Sequence, residues 1–274
     1  LILINGFYLT FDFFALALYF KNSKRSAIWG GILWGLSLAV KLVGVVFIMP
    51  VIVYVLTALG DRNEFISRAK RAGIFMITGL LLLIVFFATV NNVFIPVQER
   101  LDYYATLIPW VNAGAGQESS PGHIPEIIWR RVPYIVASLV EFNVSISGYV
   151  TDATPHPYSS KWYEWPIMQK PIPYFYFDNT NSLVLFGNPF LWFGGTLAVI
   201  LMFIIILFSP IKRFASNKEN EPALVLAGGY ILSFLPFTLI ERPAFLYHYF
   251  PGLILSISLM AYLLTRYLNN KSEL

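Results

Sequence analysis

Long apolar runs separated by short basic clusters set the pattern of this chain. The first run ends at Phe20 and is followed at once by Lys21, Lys24 and Arg25. The next extends from Ala27 to Leu59, ahead of Arg62, Arg68, Lys70 and Arg71. The positive-inside rule places both clusters on the cytoplasmic side, so the stretch between them must cross twice or re-enter. From Ile28 to Val40 a helix rising 1.5 Å per residue spans only about 20 Å, short of a hydrocarbon core of roughly 30 Å. A hairpin of two short helices turning near Lys41 fits both constraints. One long tilted helix with Lys41 snorkelling is the alternative.

Gly73 to Val90 reads as a span leaving the cytoplasm. The segment that follows, Asn91 to Ser182, is rich in proline, aromatic and polar residues and belongs on the outer face. A loop of this length without structure of its own is uncommon and usually functional. Within it, Ile124 to Val140 reads as a further embedded or interfacial helix, although Arg130 and Arg131 argue against simple lipid exposure. Val184 to Phe208 then runs inward to Lys212, Arg213 and Lys218, Pro222 to Ile240 runs outward, and Phe245 to Leu264 returns to Arg266 and Lys271. Each orientation agrees with the one before. The fold class expected is all-α, a polytopic transmembrane helix bundle. Residues 1–274 form a single membrane domain, and 91–182 is its extracytoplasmic loop region carrying short interfacial helices.

Composition supports the membrane reading and removes other classes. Hydrophobic residues make up 57% of 274 residues and charged ones 12%, with mean hydropathy +0.64. A soluble domain averages about 25% charged residues, and so few charges could not cover a water-facing surface. The net charge of +4 comes from topology clusters and not from a basic stripe, which speaks against nucleic acid as a partner. There is no cysteine, and His123, His156 and His248 are too scattered to suggest a metal centre. The chain opens on Leu-Ile-Leu-Ile without the basic start or small-residue cleavage site of a signal peptide, and reads as a fragment. No repeat of 20–50 residues points to a duplicated transporter.

Three places carry candidate chemistry. In Thr154 to Pro166, His156, Tyr158, Ser159, Ser160 and Lys161 offer polar groups, while Trp162, Tyr163 and Trp165 offer flat faces for sugar C–H surfaces or a lipid chain. An interfacial aromatic belt accounts for the tryptophans but not for His, Lys and two serines among prolines. In Glu241 to Pro251, Arg242 stands at the outer end of a span, against the positive-inside bias, where its planar fork suits phosphate oxygens. Tyr247, His248 and Tyr249 follow it, and a local Glu241–Arg242 pair is the plainer reading. Lys41, ionisable inside an apolar segment, is the third candidate. Together these cations would make an anion site on the outer face. Asp12 is given no role beyond an internal pair, and Asp61 and Glu64 read as solvated charges. There is no P-loop, G-x-S-x-G or H-E-x-x-H motif, and none of the outer-loop acids forms an adjacent pair.

His156-Pro-Tyr-Ser-Ser-Lys-Trp-Tyr-Glu-Trp-Pro166, then Gly187-Asn-Pro189 with Trp192, then Arg242 and Phe245-Leu-Tyr-His-Tyr-Phe-Pro251, follow in order. Together they resemble the C-terminal half of the protein O-mannosyltransferases, multispanning enzymes of the GT-C superfamily. The turn Ala39-Val-Lys-Leu-Val-Gly44 resembles that family and its relatives more widely. The resemblance implies a GT-C type bundle in the cell membrane, with its functional loops extracytoplasmic. It implies a polyprenyl- or dolichyl-phosphate mannose donor, and transfer of mannose to Ser or Thr hydroxyls of an exported acceptor protein. Membrane lipid, the lipid-linked donor and that acceptor are the partners implied. The residues expected to hold the lipid phosphate and sugar are Arg242, His248, Tyr247, His156, Tyr158, Ser159, Lys161, Trp162 and Lys41. The family's acidic pair has no match here, so no catalytic residue is assigned and the N-terminal catalytic part reads as missing. The short outer loop implies a bacterial or archaeal source. Another lipid-linked sugar transferase, acting on lipid A, a polysaccharide or an oligosaccharide carrier, is the alternative. A transporter or scaffold is a more distant one.

Overall fold

A computed structural model describes residues 2–94, 158–176, 182–208, 217–239 and 243–271. The first group of elements is α1 (Ile2–Tyr19), α2 (Lys24–Val40), a 3-10 turn (Leu42–Phe47), α3 (Ile48–Leu56) and α4 (Arg62–Phe94). Ser23 starts α2 by accepting the Ser26 amide at 3.0 Å, which satisfies one of the orphan donors of the first turn. Asp61 starts α4 in the same way, accepting from Asn63 and Glu64. That cap carries α4 back through the basic cluster to Arg62, well before the apolar run that begins at Gly73.

The expected break at Lys41 is present. Its backbone is extended (φ −159°, ψ 123°) between α2 and the 3-10 turn, which excludes one continuous helix. The chain then doubles back. Tyr54, near the end of α3, meets the rings of Tyr19 and Phe20 at the end of α1, at 6.1 and 5.3 Å, beside the cluster where α2 began.

Glycines wedge α2 between its neighbours. A Cβ on Gly30 would stand 2.7 Å from the Ala15 carbonyl oxygen of α1, and one on Gly35 would stand 2.5 Å from the Gly79 carbonyl oxygen of α4. With no hydrophobic drive between helices in lipid, such close backbone approach is what holds them. Trp34 fills the seam above, stacked on Phe75 at 5.4 Å, and its indole donates to the Gly44 carbonyl at 3.1 Å.

The second group begins with a two-stranded antiparallel ribbon, β1 (Ile172–Tyr176) and β2 (Ser182–Leu185), with Ile172 opposite Leu185 and Tyr176 opposite Ser182. Then come α5 (Pro189–Phe208), α6 (Glu221–Thr238) and α7 (Phe250–Lys271). One expectation changes here. Val184 lies in β2, not in a span, because Asn188 and Pro189 form the start of α5: the Asn188 side chain accepts the Leu191 amide at 3.2 Å. The described end of the outer loop holds a 3-10 turn (Trp162–Glu164) and this ribbon, where β-prone Tyr and Phe interleave with prolines. Ile124 to Val140 lies outside the described residues.

The helices pack α7 on α5 and α6, and α6 on α3. A Cβ on Gly229 of α6 would come 2.7 Å from Pro50 of α3, so the two groups meet closely. Four helical stretches, 62–86, 189–208, 218–238 and 246–266, are long and apolar enough to cross a bilayer. The chain is an all-α, multi-pass membrane bundle.

At the end holding the basic clusters, Arg68 fastens three elements. Its guanidinium donates to Glu64 and Glu221 at 2.5 Å each, to Thr57 Oγ1 at 2.9 Å and to the Tyr54 carbonyl at 2.8 Å. It also lies 3.8 Å over the Tyr54 ring. Glu64 is therefore an ion-pair partner and not a merely solvated charge.

Candidate functional site

The opposite end, which the basic clusters would place on the outer face, gathers residues from both groups. Because α2 stops at Lys41, the lysine side chain leaves the helix at its negative end, a favourable setting for a cation. Lys41 Nζ donates to Asn5 Oδ1 at 2.8 Å. It also sits 4.3 Å over the Tyr247 ring and 5.6 Å from the Tyr8 ring. A cation held over an aromatic face within about 6 Å is attracted by the ring quadrupole. Lys41 and Tyr247, 206 positions apart by subtraction of their numbers, are thus neighbours in space.

Tyr247 belongs to a 3-10 turn, Leu246–Tyr249, that leads into α7. His248, in the same turn, is buried. Its Nδ1 lies 3.1 Å from the Phe245 amide nitrogen and 3.0 Å from the Phe245 carbonyl oxygen, and the tautomer sets which of the two it bonds. The ring sits 4.4 Å from Tyr247, 5.6 Å from Phe237 and 6.2 Å from Trp165. His248 is therefore packed inside an aromatic wall that supports Tyr247.

The 158–170 segment is docked on this wall. The Ser160 amide donates to the Ala244 carbonyl at 2.7 Å, and Ser160 Oγ accepts the Trp165 indole at 2.9 Å. Trp165 is fully buried and packs on Phe237 at 5.0 Å, and the Trp192 indole donates to the Trp165 carbonyl at 2.9 Å. These residues build the platform. Tyr158, Lys161, Trp162 and Tyr163 are exposed at its surface and Ser159 is half-buried. Lys161 Nζ lies 5.8 Å from the Tyr163 ring, and Trp162 sits edge-on to Phe234 at 6.2 Å. The arrangement offers a cation, phenol groups and exposed aromatic faces at one end of the bundle, the groups that a phosphate and a sugar ring require. Arg242 and His156 lie outside the described residues. Arg242 is two positions from Ala244, the docking point of the segment.

Asn5 carried no signal in the sequence, yet it fixes Lys41. It shares one face of α1 with Tyr8 and Asp12, at spacings of three and seven residues, and all three are buried.

Residues 135–274 match the family model described as the C-terminal four TMM region of protein-O-mannosyltransferase. Protein O-mannosyltransferase 1 of Drosophila melanogaster is 28% identical over 137 residues, 46% of this chain and 15% of that protein. Protein O-mannosyl-transferase 1 of Homo sapiens is 31% identical over 121 residues, 40% of this chain and 16% of that protein. Dolichyl-phosphate-mannose--protein mannosyltransferase 1 of Candida albicans is 24% identical over 158 residues, 53% of this chain and 17% of that protein. The chain thus spans only a small part of the length of the curated relatives it matches. No solved structure matches the chain.

Proposed function

The chain belongs to the protein O-mannosyltransferase family, and from that premise we propose that it is the part of a membrane mannosyltransferase that holds the lipid-phosphate sugar donor. The donor is a polyprenyl- or dolichyl-phosphate mannose and the acceptor a Ser or Thr hydroxyl of an exported protein. In the reaction the acceptor oxygen bonds to mannose C1 while the bond from C1 to the carrier phosphate oxygen breaks. The bonding pair leaves with the phosphate, whose negative charge grows, and the hydroxyl proton passes to a base that is not assigned to a residue of this chain. Cations at the outer end lower the energy of the departing phosphate.

The observation that supports this reading is the seating of Lys41 on Tyr247. It brings a cation from the helix break into the Phe245–Pro251 motif, beside the position of Arg242 in the chain. Arg242 supplies a bidentate fork for phosphate oxygens, Lys41 a point charge, and the exposed Tyr158, Lys161 and Trp162 a face for the sugar. Ser159 lies among them, and the buried His248 keeps Tyr247 in place. The test is donor use by the full-length enzyme in detergent. Arg242→Ala should nearly abolish it and Arg242→Lys should weaken it clearly. Arg266→Lys, at the other end of the last span, should be silent. Normal donor KM and turnover in Arg242→Ala would overturn the phosphate assignment.

A further inference from the structure

Below the outer site, α1, α2 and the Lys41 break enclose a second polar cluster that the donor site does not use. Asp12 and Ser37 are fully buried, and apart from each other neither the Asp12 carboxylate nor Ser37 Oγ has a hydrogen-bond partner. The two side chains lie side by side. A Cβ on Gly44 would overlap Ser37 Oγ and reach 3.1 Å from Asp12 Oδ2, so glycine at that position leaves room for both side chains. Tyr8, one turn above Asp12 on α1, also has a buried hydroxyl without a partner. Three kinds of oxygen therefore face one another in a dry part of the bundle.

A buried carboxylate with no more than one neutral donor costs several kcal/mol, and a protein normally offsets it with a counter-charge. Lys41 is engaged elsewhere: its ammonium is at Asn5 Oδ1, seven residues and roughly 10 Å up α1 from Asp12. Among the described residues no group of three His, Asp or Glu side chains could hold a divalent or transition metal. One carboxylate with neutral hydroxyls instead balances a single positive charge and offers only hard oxygen ligands. The negative end of α2, broken at Lys41, lies at the same level. A broken helix whose C-terminal end lies beside polar side chains is a setting in which membrane proteins bind sodium.

We infer that Asp12 and Ser37, with Tyr8 above and Gly44 leaving the space, bind one monovalent cation of the size of sodium between α1, α2 and the helix break. This site is independent of the donor reading, and its test involves no sugar transfer. The native protein is purified in detergent with choline as the cation and melted while sodium chloride is titrated in at constant ionic strength. A saturable rise in melting temperature is expected, about 5–10 °C at saturation, with a smaller effect of potassium. Asp12→Asn should remove the rise. Ser37→Ala should raise the half-saturating sodium concentration about tenfold, the equivalent of one lost ligand. Asp61→Asn, at the exposed cap of α4, should leave the response unchanged. Identical melting of the unmutated protein in sodium and choline would overturn the site and make Asp12 a neutral acid beside Ser37. A sodium response that survives in Asp12→Asn would also overturn it. Should Asp12→Asn fail to fold, the unmutated protein and Ser37→Ala still decide.

Discussion

Both ends of the bundle set a cation on a tyrosine ring, Arg68 on Tyr54 and Lys41 on Tyr247, at 3.8 and 4.3 Å from the ring centroids. Their surroundings differ. Arg68 is 5% exposed and is closed in by carboxylates from α4 and α6, so its charge is spent on holding α3, α4 and α6 together. Lys41 is half-buried, and the amide of Asn5 and the ring of Tyr247 are among the groups that orient its ammonium. A planar fork suits the first task and a compact point charge the second. The same pairing of cation and ring serves cohesion at one end and, in the proposed function, an anionic ligand at the other.

Removing Arg68 should give the largest effect. Arg68→Ala leaves Glu64 and Glu221 facing each other without their shared partner and should cost about 3–5 kcal/mol, read as a lower melting temperature in detergent. A shift of less than a degree would show that the inner cluster does not hold the helices. Lys41→Ala should leave melting nearly unchanged and raise the donor KM roughly 10- to 100-fold, the worth of one charge-assisted hydrogen bond. If the thermal loss matched that of Arg68→Ala with donor KM intact, the contrast between the two ends would collapse. Tyr247→Leu, which removes the ring beneath the ammonium, should weaken donor use by about 0.5–2 kcal/mol, with Tyr247→Phe close to normal. The smallest change expected is for Glu64→Gln. Its carboxylate is a third exposed, so solvent screening limits the loss in stability to about 0.5 kcal/mol.

The helix break at Lys41 was legible because basic clusters on both flanks demand an even number of crossings, a constraint that acts over the whole segment. The Asn5–Lys41 and Asp12–Ser37 neighbourhoods were not legible. They depend on how α1 is rotated against α2, and the close approach that fixes this is made by Gly30 on the Ala15 carbonyl. The stretch Thr154 to Pro166 reads as one site in the sequence, and its described part forms two layers. Ser160 and Trp165 form the floor while Tyr158, Lys161, Trp162 and Tyr163 stand on it. A 3-10 turn repeats about every three residues, and composition cannot tell which residues of such a turn face inward. Capping was similarly hidden: Asp61 looked like a loop charge until it was seen to start α4.

The wedged position of α2 bears on how the chain is made. With Gly30, Gly31 and Gly35 along it, this 17-residue helix presents bare backbone to its neighbours on two sides. One of those sides packs on α4, which leaves the ribosome after α2. The first pair of short helices therefore enters the bilayer before its seat exists. Its final depth is reached only when Gly79 and Phe75 arrive, so assembly of this half waits on a downstream segment instead of proceeding strictly in chain order.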